Sequence, residues 1–331
     1  MRLDRYFLFA SAACAAAACG GGTRPEIPAT APQMQAPVSP AWTSPGPMIY
    51  VACRNGQVLG FVRTSTGNVA PVRRIEGGYT MLTTADGLAV DGAGRVFVAN
   101  DADSSEVFQF KPGATGDVAP NNVITGAVAN HTRTEGLALD ASRNVWVSGW
   151  ATNSILEYAA GAYGNVTPMA IIRGSNTMLN GPTGMAFDSA GNLYVSNTYA
   201  ASILVFPPGA NGNVAPIASI GGSKTNLNWP EGIAIHAGTV VVASYNGHTI
   251  EAFPVGSNGN VAPQWSIAGS ATNLSAPVGL TVDAAANVWV SDATNKAIYE
   301  WNHGVHGNVA PSATIAGSKT LLYDPLGLDI P

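Results

Sequence analysis

A five-residue phrase returns six times along the chain at almost constant spacing, and this constrains the fold more than any other feature. It reads Gly67-Asn68-Val69-Ala70-Pro71, then Gly116-Asp117-Val118-Ala119-Pro120, and recurs at Gly164 to Pro168, Gly212 to Pro216, Gly259 to Pro263 and Gly307 to Pro311. Successive copies begin 49, 48, 48, 47 and 48 residues apart. An aromatic side chain keeps the same beat at Phe61, Phe110, Tyr158, Phe206, Phe253 and Trp301. Two markers sharing one period mean supersecondary units repeated in an array or a ring.

The grammar inside each period is that of four short strands. Gly136 to Asp140, Asn144 to Ser148, Ser154 to Tyr158 and Val166 to Arg173 are rich in β-branched and aromatic residues and are separated by Gly, Asn, Asp and Ser. Charged residues make up 11% of the chain and 38 residues are Gly, a composition that suits buried strands and tight turns. No segment sustains a 3.6-residue period, so helices are not expected. Units of four strands repeated this way form the blades of a β-propeller. From Met48 to Pro331 there is room for six. The N-terminal part supplies Ile49–Ala52, Val58–Val62 and Val69–Ile75, three strands of one blade, and the missing innermost strand stands at Leu326–Ile330. The expected fold is therefore an all-β, six-bladed propeller whose ring is closed by three N-terminal strands and one C-terminal strand, which leaves no open edge.

The N-terminus has a different logic. Arg2 and Arg5 precede an apolar run from Tyr6 to Ala18, and small residues lead into Cys19 and three glycines. This is the plan of an export signal, too short for a stable membrane span. Ala16-Ala17-Ala18-Cys19-Gly20 resembles a bacterial lipobox, which makes Cys19 the expected lipidation site; ordinary cleavage near Ala18 without lipid is the alternative. Residues 1–19 are then the signal, 20–47 a Gly- and Pro-rich linker of extended character, and 48–331 the propeller. Lipidation of Cys19 would leave Cys53 as the one thiol of the body, read as a packing residue. The expected location is the bacterial envelope, with lipid as the link to the membrane, at the outer membrane or the periplasmic face. The formal charge is −5 with no basic run, which excludes a nucleic-acid footprint.

Pro182-Thr183-Gly184-Met185-Ala186-Phe187-Asp188 followed by Gly191-Asn192-Leu193-Tyr194-Val195-Ser196-Asn197 resembles the signature of NHL repeats nearly throughout. Pro277 to Asp292 follows it with Ala286 for Gly, and the fourth blade departs with His236 and Thr239 at its turn. A feature present in every copy serves the ring, so function belongs to what differs between copies. In propellers the entry to the inner strand and the end of the second strand share one face, around the channel mouth. This places Asp86, Glu135, Asn197, Glu231 and Asp292 there, with His131, His248, Trp150, Trp229 and Tyr245 in its loops. Two uses fit such a face. One, carried by its copy-specific polar and aromatic residues, is a binding or scaffold role, with a protein, peptide or glycan held against Trp150, Trp229 and Tyr245 and no cofactor. The other, which the resemblance implies, is a hydrolase or lyase, as in gluconolactonase-like, paraoxonase-like and streptogramin-lyase-like propellers. There Asp86, Glu135, Asn197, Glu231 and Asp292 would hold Ca²⁺ or another divalent ion, with His131 or His248 as base. The Pro-Asn-Gly motif of several such enzymes is replaced here by Pro182-Thr183-Gly184 and Pro230-Glu231-Gly232. The binding role is the leading expectation.

Overall fold

A computed structural model describes residues 47–101, 106–126 and 133–331. Residues 1–46, and with them Cys19, lie outside the described residues, as does His131.

The described chain is a six-bladed β-propeller. Blade 1 runs through Ala85–Val90, Val96–Asn100, Glu106–Phe110 and Asn122–Gly126, and blade 2 through Thr134–Leu139, Val145–Gly149, Ser154–Tyr158 and Ala170–Arg173. Blade 3 uses Pro182–Phe187, Leu193–Asn197, Ser202–Phe206 and Ala218–Gly221, and blade 4 uses Pro230–His236, Thr239–Ser244, Thr249–Pro254 and Trp265–Ile267. Blade 5 comprises Pro277–Val282, Val288–Asp292, Ala297–Trp301 and Ala313–Ala316. Blade 6 is the expected composite: inner strand Pro325–Asp329 pairs antiparallel with Met48–Cys53, followed by Gln57–Val62 and Arg73–Ile75. The ends of the described chain thus meet in one sheet.

Three layers hold neighbouring blades together. The middle layer is apolar. Phe61, Phe110, Tyr158, Phe206, Phe253 and Trp301 are all buried, and each belongs to a core cluster drawn from two adjacent blades. Phe61, for instance, packs with Ile49 and Val51 of its own blade and with Trp289 and Ile298 of blade 5. Burying one such ring contributes roughly 1.5–3 kcal/mol, against about 1 kcal/mol for a typical hydrogen bond. The wedges therefore dominate the stability, and the polar contacts set the register.

The outer layer is the repeated phrase itself. Its strand does not extend the fourth strand of its own blade, as Val69–Ile75 and Val166–Arg173 suggested; those strands begin at Arg73 and Ala170. Instead the phrase reaches to the preceding blade. The Gly67 amide donates to the Thr314 carbonyl at 2.6 Å, Gly212 to Ile171 at 2.7 Å and Gly307 to Ser266 at 2.6 Å. In blade 2 the same segment, Gly164–Val166, adds a short parallel strand to the sheet of blade 1. The next side chain then caps a turn of that neighbour: Asn68 Oδ1 accepts the Lys319 amide at 2.7 Å, and Asn213 Oδ1 accepts Asn176 at 2.7 Å. The glycine needs positive φ, which an L side chain rarely adopts, and the Asn or Asp needs a short side chain with a carbonyl.

The inner layer rings the axis. Every inner strand bulges by one residue near its start, as between Ala85 and Leu88 or Pro182 and Met185. Each bulge holds a glycine facing a carbonyl of the next blade. A Cβ on Gly87 would stand 2.6 Å from the Glu135 oxygen, on Gly184 2.3 Å from Glu231, and on Gly327 2.4 Å from Asp86. The six inner strands can converge this closely because these positions have no side chain.

Candidate functional site at the channel mouth

The inner strands enclose a central channel of about 350 Å³, whose walls include Leu88, Met185, Ile233 and Leu280. At the mouth, each blade ends in a backbone bond joining the residue after its second strand to one just before its inner strand. The amides of Asp101, Trp150, Thr198, Tyr245, Ala293 and Arg54 donate to the carbonyls of Thr84, Arg133, Gly181, Trp229, Ala276 and Asp324. The ring geometry presents these positions in every blade, and the residue types differ in every blade. The mouth is therefore a regular frame carrying an irregular set of side chains.

Going round it, the chemistry changes sector by sector. Between blades 1 and 2, Asp86, Asp101 and Glu135 each bring a carboxylate oxygen within 4.8 Å of the others. Asp86 is buried, Asp101 and Glu135 half-buried. From blade 2 to blade 4 runs an unbroken aromatic series. The guanidinium of Arg133 lies 5.3 Å over the Trp150 ring, Trp150 meets Tyr199 at 5.1 Å, Tyr199 meets Trp229 edge-on at 5.4 Å, and Trp229 stacks on Tyr245 at 6.3 Å. The series then joins an apolar ledge of Ala276, Val278, Ala293 and Leu326. Blade 6 closes the circuit with an ion pair, Arg54 Nε to Asp324 Oδ2 at 2.7 Å.

Tyr199 links the acidic and aromatic sectors. Burial raises the pKa of its hydroxyl above the usual phenol range; the Arg133 guanidinium works against this, while the carboxylates of Glu135 and Glu231 reinforce it. Its ring is nevertheless 45% exposed, so the most central member of the series faces solvent.

The structure brings some of the sequence-expected residues together and not others. Asp86, Glu135 and Glu231 line the channel, joined by Asp101. Trp150, Trp229 and Tyr245 form one series through Tyr199. Asn197 and Asp292 are buried and committed to the backbone. Asn197 Oδ1 accepts the Asn180 amide at 2.6 Å and its Nδ2 donates to the Met178 carbonyl, while Asp292 Oδ2 accepts the amides of Ser275 and Ala276 at 2.7 and 3.0 Å. Asn100 and Ser244 do the same in their blades. The end of the second strand is thus a staple for the loop entering the inner strand. His248 sits at the surface with positive φ and its Nδ1 against the Ser275 carbonyl. Of the set Asp86, Glu135, Asn197, Glu231 and Asp292, Asp86 and Glu135 come within 4.8 Å of one another, with Asp101 as the third carboxylate.

Sequence reasoning missed Asp101 and Tyr199. Asp101 is one residue beyond the end of its second strand, Val96–Asn100, and Tyr199 lies in a one-turn 3₁₀ segment, Thr198–Ala200, that follows the second strand of blade 3. Comparing the residue after each second strand, rather than the last residue of the strand, would have found the first. Cys53 is buried in the blade 5–blade 6 cluster, and desolvation pushes its thiol up to about 12, in keeping with the packing role.

Among solved structures, the chain is similar to one from a nidogen–laminin complex, with TM-score 0.64 and 16% identity over 86% of this chain and 98% of that one. It is likewise similar to a putative 6-phosphogluconolactonase from Bacteroides fragilis, with TM-score 0.60 and 12% identity over 88% and 100% of the two chains. A protein of unknown function from Bacteroides caccae matches with TM-score 0.60 and 13% identity over 85% and 99%. No family model and no curated protein matches the chain. At these identities the likeness is one of fold alone.

Proposed function

We propose that this protein is an envelope-tethered binding module of NHL-repeat type, held by lipid at Cys19 and spaced from the membrane by residues 20–47. Its mouth holds a basic, partly apolar segment of a partner protein or peptide. One observation carries this reading: the copy-specific positions of the mouth set carboxylates of Asp86, Asp101 and Glu135 beside an aromatic series that ends on an apolar ledge. A Lys or Arg side chain is stabilised by carboxylates and by aromatic faces together, while neighbouring apolar residues would pack on the exposed side of Tyr199. A neutral glycan would use the rings but not the charge, so it fits half of the surface.

The test is calorimetric titration with a short Arg- and Leu-containing peptide, its Glu-for-Arg counterpart and a soluble oligosaccharide. The basic peptide should bind, and Glu135→Gln and Tyr199→Ala should each weaken it by roughly tenfold, equivalent to about 1.4 kcal/mol. Equal binding of both peptides would refute the reading, and binding of the oligosaccharide alone would replace it with a glycan-holding role.

A second reading rests on the three carboxylate oxygens that lie within mutual reach. A hard divalent cation takes such ligands, and a metal-dependent hydrolase or lyase would work there. A stoichiometric ion in protein purified without chelator, lost in Glu135→Gln, would favour it over the first. No metal, with no thermal shift on adding Ca²⁺, would dispose of it.

A further inference from the structure

Blade 4 breaks the repeat at three places, and the breaks meet at one cavity. The second-strand residue just after the cross-strand partner of the recurring aromatic is Phe97, Trp146, Tyr194, Trp289 and Tyr50 in the other five blades. In blade 4 it is Val241. The Asp that begins the first turn of blades 1, 2, 3 and 5 is His236, and the Asn that closes it in blades 2, 3 and 5 is Thr239. Where the missing ring would stand there is a cavity of about 340 Å³ between blades 4 and 5, on the face away from the mouth.

An equivalent place elsewhere in the molecule serves as a control. Between blades 1 and 2 the corresponding void is lined by Phe97, Gln109, Asn122 and Val145 and measures about 10 Å³. In blade 4, Phe97 and Gln109 correspond to Val241 and Ala252. Of the two, Val241 lines the larger cavity, and Ala252 is its cross-strand partner.

The walls state what that occupant would be. Val241, Val282, Val288 and Val305 are apolar, Trp265 is half-buried, and His306 is tilted 32° against it at 6.4 Å. Flat walls with aliphatic floors favour a planar ring. The polar groups are the imidazoles of His236, His303 and His306 and the amide of Asn302, and the lining contains no Asp, Glu, Lys or Arg among the described residues. Imidazole and amide N–H groups can donate to an anionic acceptor there, and no lining carboxylate opposes it. The His303 backbone is held by the Asn287 side chain at 3.0 Å and His306 Nδ1 by the Gly304 carbonyl at 3.1 Å, which positions the rim. We infer that the blade 4–blade 5 cavity is a binding site for a small planar aromatic compound bearing a carboxylate or similar anionic acceptor, separate from the mouth.

The probe is 2-naphthoate, with uncharged 2-naphthylmethanol alongside, read by saturation-transfer NMR and by quenching of tryptophan fluorescence on the full chain. Wild-type protein should bind 2-naphthoate saturably and with quenching. Val241→Phe and Ala252→Gln, which restore the side-chain classes of blade 1, should each weaken it by roughly tenfold or more while the melting temperature holds or rises. Trp265→Phe keeps the cavity open, so it should retain the NMR signal and lose most of the quenching. The double variant His236→Gln/His303→Gln should weaken naphthoate more than naphthylmethanol. Absence of saturable binding to wild type, or binding untouched by both filling variants, overturns the inference.

Discussion

Gly136→Ala tests the inner ring directly. Gly136 sits in the bulge of the blade 2 inner strand, and its φ is not in the positive range, so alanine meets no conformational penalty there. What alanine meets is blade 3. Its Cβ would lie 2.0 Å from the Thr183 carbonyl oxygen and 2.8 Å from Ser148 Oγ. Carbon and carbonyl oxygen approach to about 3.3 Å at closest, so blades 2 and 3 must part by about 1 Å at the axis. That parting stretches a buried bridge: the Gly136 amide donates to Ser148 Oγ at 2.7 Å, and Ser148 Oγ donates to the Thr183 oxygen at 2.8 Å. Overpacking costs about 1–3 kcal/mol and each strained hydrogen bond about 1 kcal/mol, while the stiffer unfolded chain returns about 0.5–1 kcal/mol. The expected net loss is about 2–4 kcal/mol, or roughly 5–15 °C of melting temperature for a domain of this size. Gly92→Ala is the matched control, because its Cβ would meet nothing within 4 Å; it should stay within about 0.5 kcal/mol of wild type. Differential scanning calorimetry of the three proteins decides. If Gly136→Ala and Gly92→Ala melt together, the glycines are not what allows the blades to converge, and the account of the inner ring is wrong.

Two further outcomes follow from titratable groups withdrawn from bulk water. Asp329, half-buried, faces the channel in the blade that pairs Pro325–Asp329 with Met48–Cys53. Desolvation raises its carboxyl to about 6, although the amides of Val90 and Ile330 bond it and pull the other way. A folded-state value above the ordinary 3.8 means the native protein binds the extra proton. Stability from this group is therefore full in acid and is lost as pH rises through about 6. Asp329→Asn should match wild type near pH 4 and exceed it at pH 8 by about 1–3 kcal/mol after allowance for channel water; a difference that does not change with pH, measured by urea titration, would refute this. The Cys53 thiol, pushed up to about 12 and buried, should be inert to Ellman's reagent at pH 8 in a variant lacking Cys14 and Cys19 and should react at the rate of unfolding; fast native-state labelling would contradict its packing.

Much of this architecture was legible in the residues, and the reason is periodicity. One phrase and one aromatic, each recurring six times, carry both the blade number and the position of the seam, since the strand missing from the start stands at the end. The recurring aromatics lie between blades. For the phrase local reasoning stops short: Gly67 and Asn68 have the residue types of a turn, yet their partners are Thr314 and Lys319. Nothing in a five-residue window names a partner about 250 residues away.

The same limit divides the candidate sites. That function should lie where copies differ could be said from the sequence, and Trp150, Trp229 and Tyr245 follow from that rule. Whether a polar residue at the mouth faces the channel or the backbone could not, because Asp292 and Glu135 are equally acidic on paper; one staples Ser275 and Ala276, and the other stands beside Asp86 and Asp101. The cavity behind Val241 shows as a single small residue in an aromatic column until the neighbouring blade is set against it. Repetition of sequence determined the ring, since identical units can bury their faces only on one another. Tertiary structure alone decided which side chains meet, since a contact between blades depends on both of them and is written in neither.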